Sequence, residues 1–483
     1  MKKRKFSMLL NIAVLCLCVC AIAIGVYSEK NASLNVTGTI GFTAHNCNVD
    51  ISGYIYGHST TLDGTPIAKP TNNSEKVYLK NGTTDVTETS PLKITGNSGA
   101  LNFGDVFFSD MGETGDLEQV RIVLTITNQS SYEVLVDADV TVPESAKCDF
   151  VCDNALQVLY TTNEGTKSKT ATLTFILFPK ITNGKYTEIP TVENVSLSVK
   201  FSKLNTQISS QGFTFDDATN PTKIYGVPAS DGTSDVLVIP STFTDLPGKT
   251  ITTIGKANAT PSDNKINTTN FTKLVILDGI TTINSFAFYS FNSANEKIEK
   301  VSLPNTLETI GAESFSSEAN LVSCGIPSSV KNIGNGFISG AKVRYIKIPK
   351  GVSTVDTLGC STITMVEIEE GVKTINMDAF FNTLVPSLII PNGVTSIGDR
   401  IFGACKNLTK ITLPNSLTQI GYGVFSNSTN LHTIIFKGTV AEWNSIDKLY
   451  VENEYDSVHW FDGSSDFTIY CTDGEITKAE AIK

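Results

Sequence analysis

Leu413-Pro414-Asn415-Ser416-Leu417-Thr418-Gln419-Ile420-Gly421 decides the fold, because the chain keeps returning to it. The same frame recurs as Leu303-Pro304-Asn305-Thr306-Leu307-Glu308-Thr309-Ile310-Gly311 and as Ile326-Pro327-Ser328-Ser329-Val330-Lys331-Asn332-Ile333-Gly334. It returns at Ile390-Pro391-Asn392-Gly393-Val394-Thr395-Ser396-Ile397-Gly398, and more loosely at Ile276-Leu277, Ile348-Pro349, Ile368-Glu369 and Phe436-Lys437. The branched residue three after the proline position falls at 280, 307, 330, 352, 372, 394, 417 and 440, in steps of 27, 23, 22, 20, 22, 23 and 23. Ile251 opens the series 29 residues earlier, which makes nine units. A fixed period of this length means stacked repeats.

Other columns run in step. Five residues after the Ile (or Val) of each Ile-Gly position stands Phe288, Phe315, Ile338, Cys360, Phe380, Phe402 or Phe425. Leu321, Ile363, Leu408 and Leu431 then open the following strand. Apolar columns with variable residues between them are what stacking demands, since each column becomes one ridge through a shared core. The alternation in Leu408-Thr409-Lys410-Ile411-Thr412-Leu413 predicts a short strand with Ile411 and Leu413 inward. Pro414 ends it, having no N–H for the ladder. Nine parallel strands at ~4.8 Å spacing give a rod or shallow arc about 43 Å long. A single unit buries too few apolar groups to offset the ordering of its backbone, so the units fold only as an array.

The unit I/L-P-x-x-V/L-x-x-I-G-x-x-x-F resembles the BspA-type (Treponema-style) leucine-rich repeats of bacterial surface proteins. The segments around the array are similar too: Gly212-Phe213-Thr214-Phe215 and Val236-Leu237-Val238-Ile239-Pro240 before it, Ile434 to Trp443 and Thr468 to Gly474 after it. The resemblance spans residues 211–475, about 55% of the chain. It implies a surface-displayed binding protein or adhesin without catalysis. Cys360 and Ile338 depart from the Phe column, and Asn284, Asp356 and Asn376 from the glycine column, which predicts local irregularity.

Residues 31–205 lack the period. Alternating segments at 34–42, 49–56, 120–127, 132–142, 171–178 and 195–201, separated by turn-rich stretches, predict an antiparallel β-sandwich. The fold class is therefore mainly β: a sandwich at 31–205, a linker and N-terminal cap at 206–235, leucine-rich repeats at 236–445, and a C-terminal cap and tail at 446–483.

Lys2, Lys3, Arg4 and Lys5 precede an apolar run from Phe6 to Tyr27, and no further charge comes before Glu29. That is the layout of an export signal. Ala21-Ile22-Ala23 and the stretch from Gly25 to Ser28 both offer cleavage sites. About 20 apolar residues also span a bilayer, so an uncleaved anchor is the alternative, with its basic flank inside. Residues 1–28 are read as signal peptide or membrane anchor, the membrane is met through this segment alone, and the rest is secreted or on the outer surface. Without the four basic residues the formal charge goes from −11 to −15, which repels phosphate backbones and excludes nucleic acid as a partner. Seven cysteines lie beyond the apolar run, an odd number. Cys148 and Cys152, four apart, could close a small loop.

The sequence holds no metalloprotease, nucleophile-elbow, Walker or dinucleotide fingerprint. His45, Cys47, Asp50 and His58 cluster, and a hydrolase in the N-terminal domain would rest on them alone. Their spacing fits no common zinc pattern, and alternation scatters them over two faces. Asp110, Glu113, Asp116 and Glu118 read as a solvated acidic loop, with calcium the minority reading. Trp443 and Trp460 read as the closing plug of the core; Cys324, Cys360 and Cys405 read as buried or inert positions. No catalytic, cofactor or metal residue is assigned. The candidate ligand face is the outward side of the repeat strands, at Lys300, Tyr345, Lys347, Met365, Glu367 and Ile389. Its expected partner is an extracellular protein or glycan. The leading function is adhesion to host or microbial surfaces, and the alternative is a structural subunit of a surface layer or matrix fibre built through the sandwich.

Overall fold

Strand-forming alternation dominates the N-terminal part. The computed structural model describes residues 34–60, 66–67, 70–95, 98–108, 119–140, 148–182, 185–186, 193–230, 232–258, 260–261, 266–289, 297–449, 451–452, 457–458 and 460–481. The export segment, the acidic loop at 110–118 and the side chain of His58 lie outside what is described. Nine strands form the N-terminal domain: β1 (Leu34–His45), β2 (Asn48–Thr60), β3 (Ser98–Phe108), β4 (Val120–Asn128), β5 (Val134–Val140), β6 (Cys148–Asp153), β7 (Leu156–Leu159), β8 (Thr170–Pro179) and β9 (Glu193–Lys203). Their order is β6-β8-β4-β2-β3-β1-β9-β5-β7, with short extra strands on β2 and β3. Every neighbouring pair is antiparallel except β1 and β9.

The β2–β3 link is made where Thr60 meets Phe107, and there the ladder folds over into two layers. Both layers feed one core that includes Phe42, Ile51, Leu124, Val136, Phe150, Phe175 and Phe201. It is the expected sandwich. Strands β3, β6 and β7 were not visible in the pattern: β3 carries Gly99, Asn102 and Gly104, and β7 is four residues long. Cys148 and Cys152 do not close a loop. Both lie on β6, where residues four apart on extended backbone are about 13 Å apart, far beyond disulfide reach.

The repeats stack as parallel strands: Val236–Ile239, Lys273–Ile276, Lys300–Ser302, Ser323–Cys324, Tyr345–Ile348, Met365–Ile368, Ser387–Ile389, Lys410–Leu413 and Thr433–Phe436, with Thr468–Tyr470 from the cap as a tenth. The ladder is interrupted after Ser323–Cys324 and again after Met365–Ile368. A second parallel ladder, which the sequence reading did not foresee, follows the Thr-Ile positions from Thr253–Ile254 to Gln419–Ile420 and is likewise interrupted after Asn332–Ile333. All seven members of the Phe column are buried. Phe380, Phe402 and Phe425 stack with centroids 5.7 Å apart and nearly parallel rings. Trp443 and Trp460 pack against Phe425, Phe436, Phe461 and Phe467 and plug the C-terminal end.

The glycine column has a steric cause. A β-carbon on Gly311, Gly334 or Gly421 would strike the backbone of the preceding coil. Where the column changes to Asn, the amide makes the bridge instead: Asn284 donates to the Gly255 carbonyl at 2.7 Å, and Asn376 to the Asp356 carboxylate at 2.5 Å.

The segment expected to be a linker is tied down. Asp245 accepts from the Ser210 amide at 2.7 Å and from the Ser209 and Ser210 hydroxyls, and Leu204 is buried. Removing the middle ring of the stack tests the core directly. Phe402→Ala is expected to cost about 3–5 kcal/mol in urea unfolding followed by circular dichroism. A loss under 1 kcal/mol would contradict the packing.

Candidate ligand-binding seam

Side chains on the outer face of a sandwich should be polar, yet three strands break that rule. On β5, Val134, Val136 and Ala138 enter the core, so Leu135, Asp137 and Asp139 point outward. On β8, Phe175 and Leu177 enter the core, which turns Ile176 and Phe178 outward; on β6, Asp149, Val151 and Asp153 do the same. All of Leu135, Val151, Ile176 and Phe178 are buried nonetheless. What covers them is the strand face of the repeats.

Two apolar contacts carry this docking. Leu135, Leu156 and Leu204 meet Val275 and Leu277 at one end. Val151, Ile176 and Phe178 meet Met365, with Tyr345 alongside, at the other. Between them lies a charged clasp. Lys273 and Lys300 are direct neighbours on the repeat ladder, where like charges repel. Asp137 lies across both, 3.3 Å from Lys273 and 2.5 Å from Lys300. The Lys300 ammonium also reaches Asp139 at 2.5 Å and donates to the Ala138 carbonyl at 2.8 Å, so its three donors are used. Arg121 pairs with Glu367, and Arg344 with Asp149. At the β6–β7 corner Asn154 adopts a left-handed φ of 55° and presses its amide onto Gly325, where a β-carbon would overlap the amide oxygen.

The six residues of the expected ligand face therefore meet different fates. Lys300, at 6% exposure, and Met365 are sealed against the N-terminal domain. Tyr345 is half-buried beside Asp153 and Glu367. Glu367 is held by Arg121, and Lys347 pairs with Glu369 at 2.7 Å on the same face. Ile389 stays open at 49% exposure. All six nevertheless line the two recesses left along the seam. One, of about 240 Å³, is bounded by Asp139, Asp153, Glu299, Lys300, Tyr345 and Lys347. The other, of about 470 Å³, is bounded by Tyr56, Arg121, Asp153, Lys347, Met365, Glu367 and Ile389. The contribution of Tyr56, Arg121 and Asp153 was missed, because nothing in the chain's periodicity pairs the two domains. The apolar residues at outward positions of β5, β6 and β8 were the available signal.

Asp153 belongs to both recesses. Burial pushes its carboxyl up to about 6 from an ordinary 3.8, with Lys347 pulling the other way. At Asp139 burial also works upward, but the bonds from Lys200 and Lys300 outweigh it and hold the carboxyl low. Burial, together with the Asp153 and Glu367 charges, pushes the Tyr345 phenol up.

His45 and Cys47 do not converge: His45 is exposed and Cys47 is buried. Among the described residues no group of three or more His, Cys, Asp or Glu side chains is arranged to hold a metal. No helix among them is long and apolar enough to cross a membrane.

The model for the BspA type leucine rich repeat region matches six copies, over residues 266–358 and 358–446. Among solved structures, a leucine rich cell surface protein from Faecalibacterium prausnitzii is similar over 51% of this chain and 98% of its own, at 15% identity and a TM-score of 0.34. A leucine-rich repeat protein from Bacteroides ovatus covers 48% of this chain and 70% of its own, at 20% identity and a TM-score of 0.28. The leucine rich repeat protein of T. pallidum covers 42% of this chain and 90% of its own, at 19% identity and a TM-score of 0.27. No curated protein matches the chain.

Two variants test the docking. Gly325→Leu is expected to drive Asn154 off the repeats and part the domains, raising the radius of gyration in small-angle scattering while circular dichroism stays unchanged. An unchanged radius would refute the contact. Lys300→Ala leaves Asp137 buried and uncompensated, at a cost of about 3–5 kcal/mol in urea unfolding. The acidity of Asp153 gives a third test. Its raised value favours the protonated form in the folded chain, so its stabilising share is complete below about pH 4 and lost as pH rises through about 6. Asp153→Asn should therefore raise the melting temperature at pH 7.5, with the gain vanishing at pH 4.

Proposed function

Residues 266–446 are BspA-type leucine-rich repeats, and from that premise we propose that the chain is a non-enzymatic extracellular binding protein that adheres to host or microbial surface molecules. The observation that carries the reading is the part of the strand face beyond the docked domain. There Ile389, Thr412, Ile435 and Tyr470 stand in one row, paired in register across four successive strands. Ile389 and Tyr470 are 49% and 41% exposed. Open apolar and aromatic side chains in a regular row, bordered by the polar recess at the seam, suit a protein or glycan surface rather than a small substrate.

Secretion or tethering through residues 1–28 fits this role, and the acidic balance of the exported part keeps nucleic acid away. Binding is favoured over assembly into a layer or fibre by the fate of the sandwich's end strands. β6 and β7 close the two ends of the ladder, and both lie against the repeats, at Tyr345–Ile348 and Lys300–Ser302 respectively. Neither end is offered to a second copy.

The full chain, immobilised and probed against arrays of matrix proteins, glycans and bacterial cells, is expected to retain a subset of them. Ile389→Asp with Tyr470→Asp should weaken that retention at least tenfold without changing the melting temperature by more than a few degrees. Retention unaffected by the double variant would remove the row as the binding surface.

A further inference from the structure

The seam contains one charge that the fold leaves unanswered. Arg121 is matched by Glu367, Lys347 by Glu369, Arg344 by Asp149, and Lys300 by Asp137 and Asp139. Asp153, at the end of β6, lines both recesses and, among the described residues, accepts no hydrogen bond and forms no ion pair through its carboxylate. A recessed carboxylate without a donor is costly unless something supplies one. Since the surrounding cations are already engaged by their own partners, the donor that fits must come from outside.

We propose that the seam binds a protonated amine, with Asp153 as its counter-ion. This rests on the binding role argued above and names the chemistry that the seam would select. A single carboxylate suits an ammonium better than a hard divalent cation, which calls for six or more oxygen ligands. The wall of the larger recess carries Tyr56, stacked on Tyr54 with centroids 6.1 Å apart, and an aromatic face attracts a desolvated cation. Tyr345 bounds the smaller recess on the other side of Asp153. The raised acidity of Asp153 agrees with a charge that lacks a partner, and an arriving ammonium reverses that penalty. The ammonium has two possible sources, a free polyamine or a lysine side chain presented by a partner, and the recognising chemistry is the same.

Isothermal titration calorimetry of the full chain at pH 7.5 and constant ionic strength distinguishes them, with spermidine and N-acetyl-lysine methylamide as probes. Saturable heat is expected with at least one probe, and acetylating the side-chain amine should abolish it. Asp153→Asn is expected to weaken the binding at least tenfold, while Glu164→Gln, on an exposed turn away from the seam, leaves it unchanged. Tighter binding of spermidine points to a free amine, and binding of the lysine derivative alone points to a partner's side chain. Equal affinity in Asp153→Asn, or no saturable heat with either probe, overturns the proposal. Because the Ile389/Tyr470 double variant leaves Asp153 intact, amine binding that survives in it while surface retention fails separates this inference from the adhesion reading.

Discussion

The Lys300 ammonium held between Asp137 and Asp139 is the contact on which the arrangement of the molecule turns. A parallel repeat ladder puts equivalent residues side by side, and here it sets Lys300 next to Lys273. Left to water, two adjacent lysines would make that stretch of ladder repulsive. Asp137 sits across both, and once Lys300 is buried the arrangement becomes all-or-none: withdrawing either side strands a charge away from solvent. The apolar contacts on either side of the clasp supply the attraction, and the clasp fixes which strand of the sandwich lies over which coil of the repeats. Docking is thus specified by charge and driven by oil.

That arrangement explains why the fold was readable and the site only half so. Stacking forces Phe288, Phe315, Phe380, Phe402 and Phe425 into one column at a constant spacing, and a single chain records that spacing openly. The packing of one domain on another leaves no such trace, because its partners are separated by more than 160 residues, as Asp137 and Lys300 are. What it does leave is a violation of alternation. Leu135, Val151, Ile176 and Phe178 sit where a free-standing sandwich would carry polar groups, and the repeat face mirrors them with Val275, Leu277 and Met365. The outward direction of Lys300, Tyr345, Lys347, Met365, Glu367 and Ile389 was legible from strand periodicity. Their cover was not.

The uneven unit lengths belong to the same account. Steps of 22, 20 and 22 residues fall between positions 330 and 394, and it is around these units that the strand ladder is interrupted on either side of Tyr345–Ile348 and Met365–Ile368. A shorter coil cannot keep its strand in full register with a longer neighbour. The interruption at Ser323–Cys324 opens the place where Asn154 enters over Gly325, and a glycine is required there because any side chain would occupy the space of the amide. Irregularity that looks like decay in the repeat pattern is the shape of the socket.

A repeat array usually offers its whole strand face to a ligand. In this molecule the N-terminal domain occupies the front of that face and leaves the C-terminal coils and the seam. Any ligand wide enough to touch both Ile389 and Asp153 must contact two domains at once, since Asp153 comes from β6 and Ile389 from the repeats. The geometry of recognition then depends on the clasp at Lys300 as much as on the residues in the recess. Loosening the clasp would separate Tyr56, Arg121 and Asp153 from Lys347, Glu367 and Ile389, and expose the apolar strips that docking hides. Affinity and domain docking are therefore linked quantities: a ligand that bridges the seam tightens the clasp by the same free energy with which the clasp improves the ligand's fit.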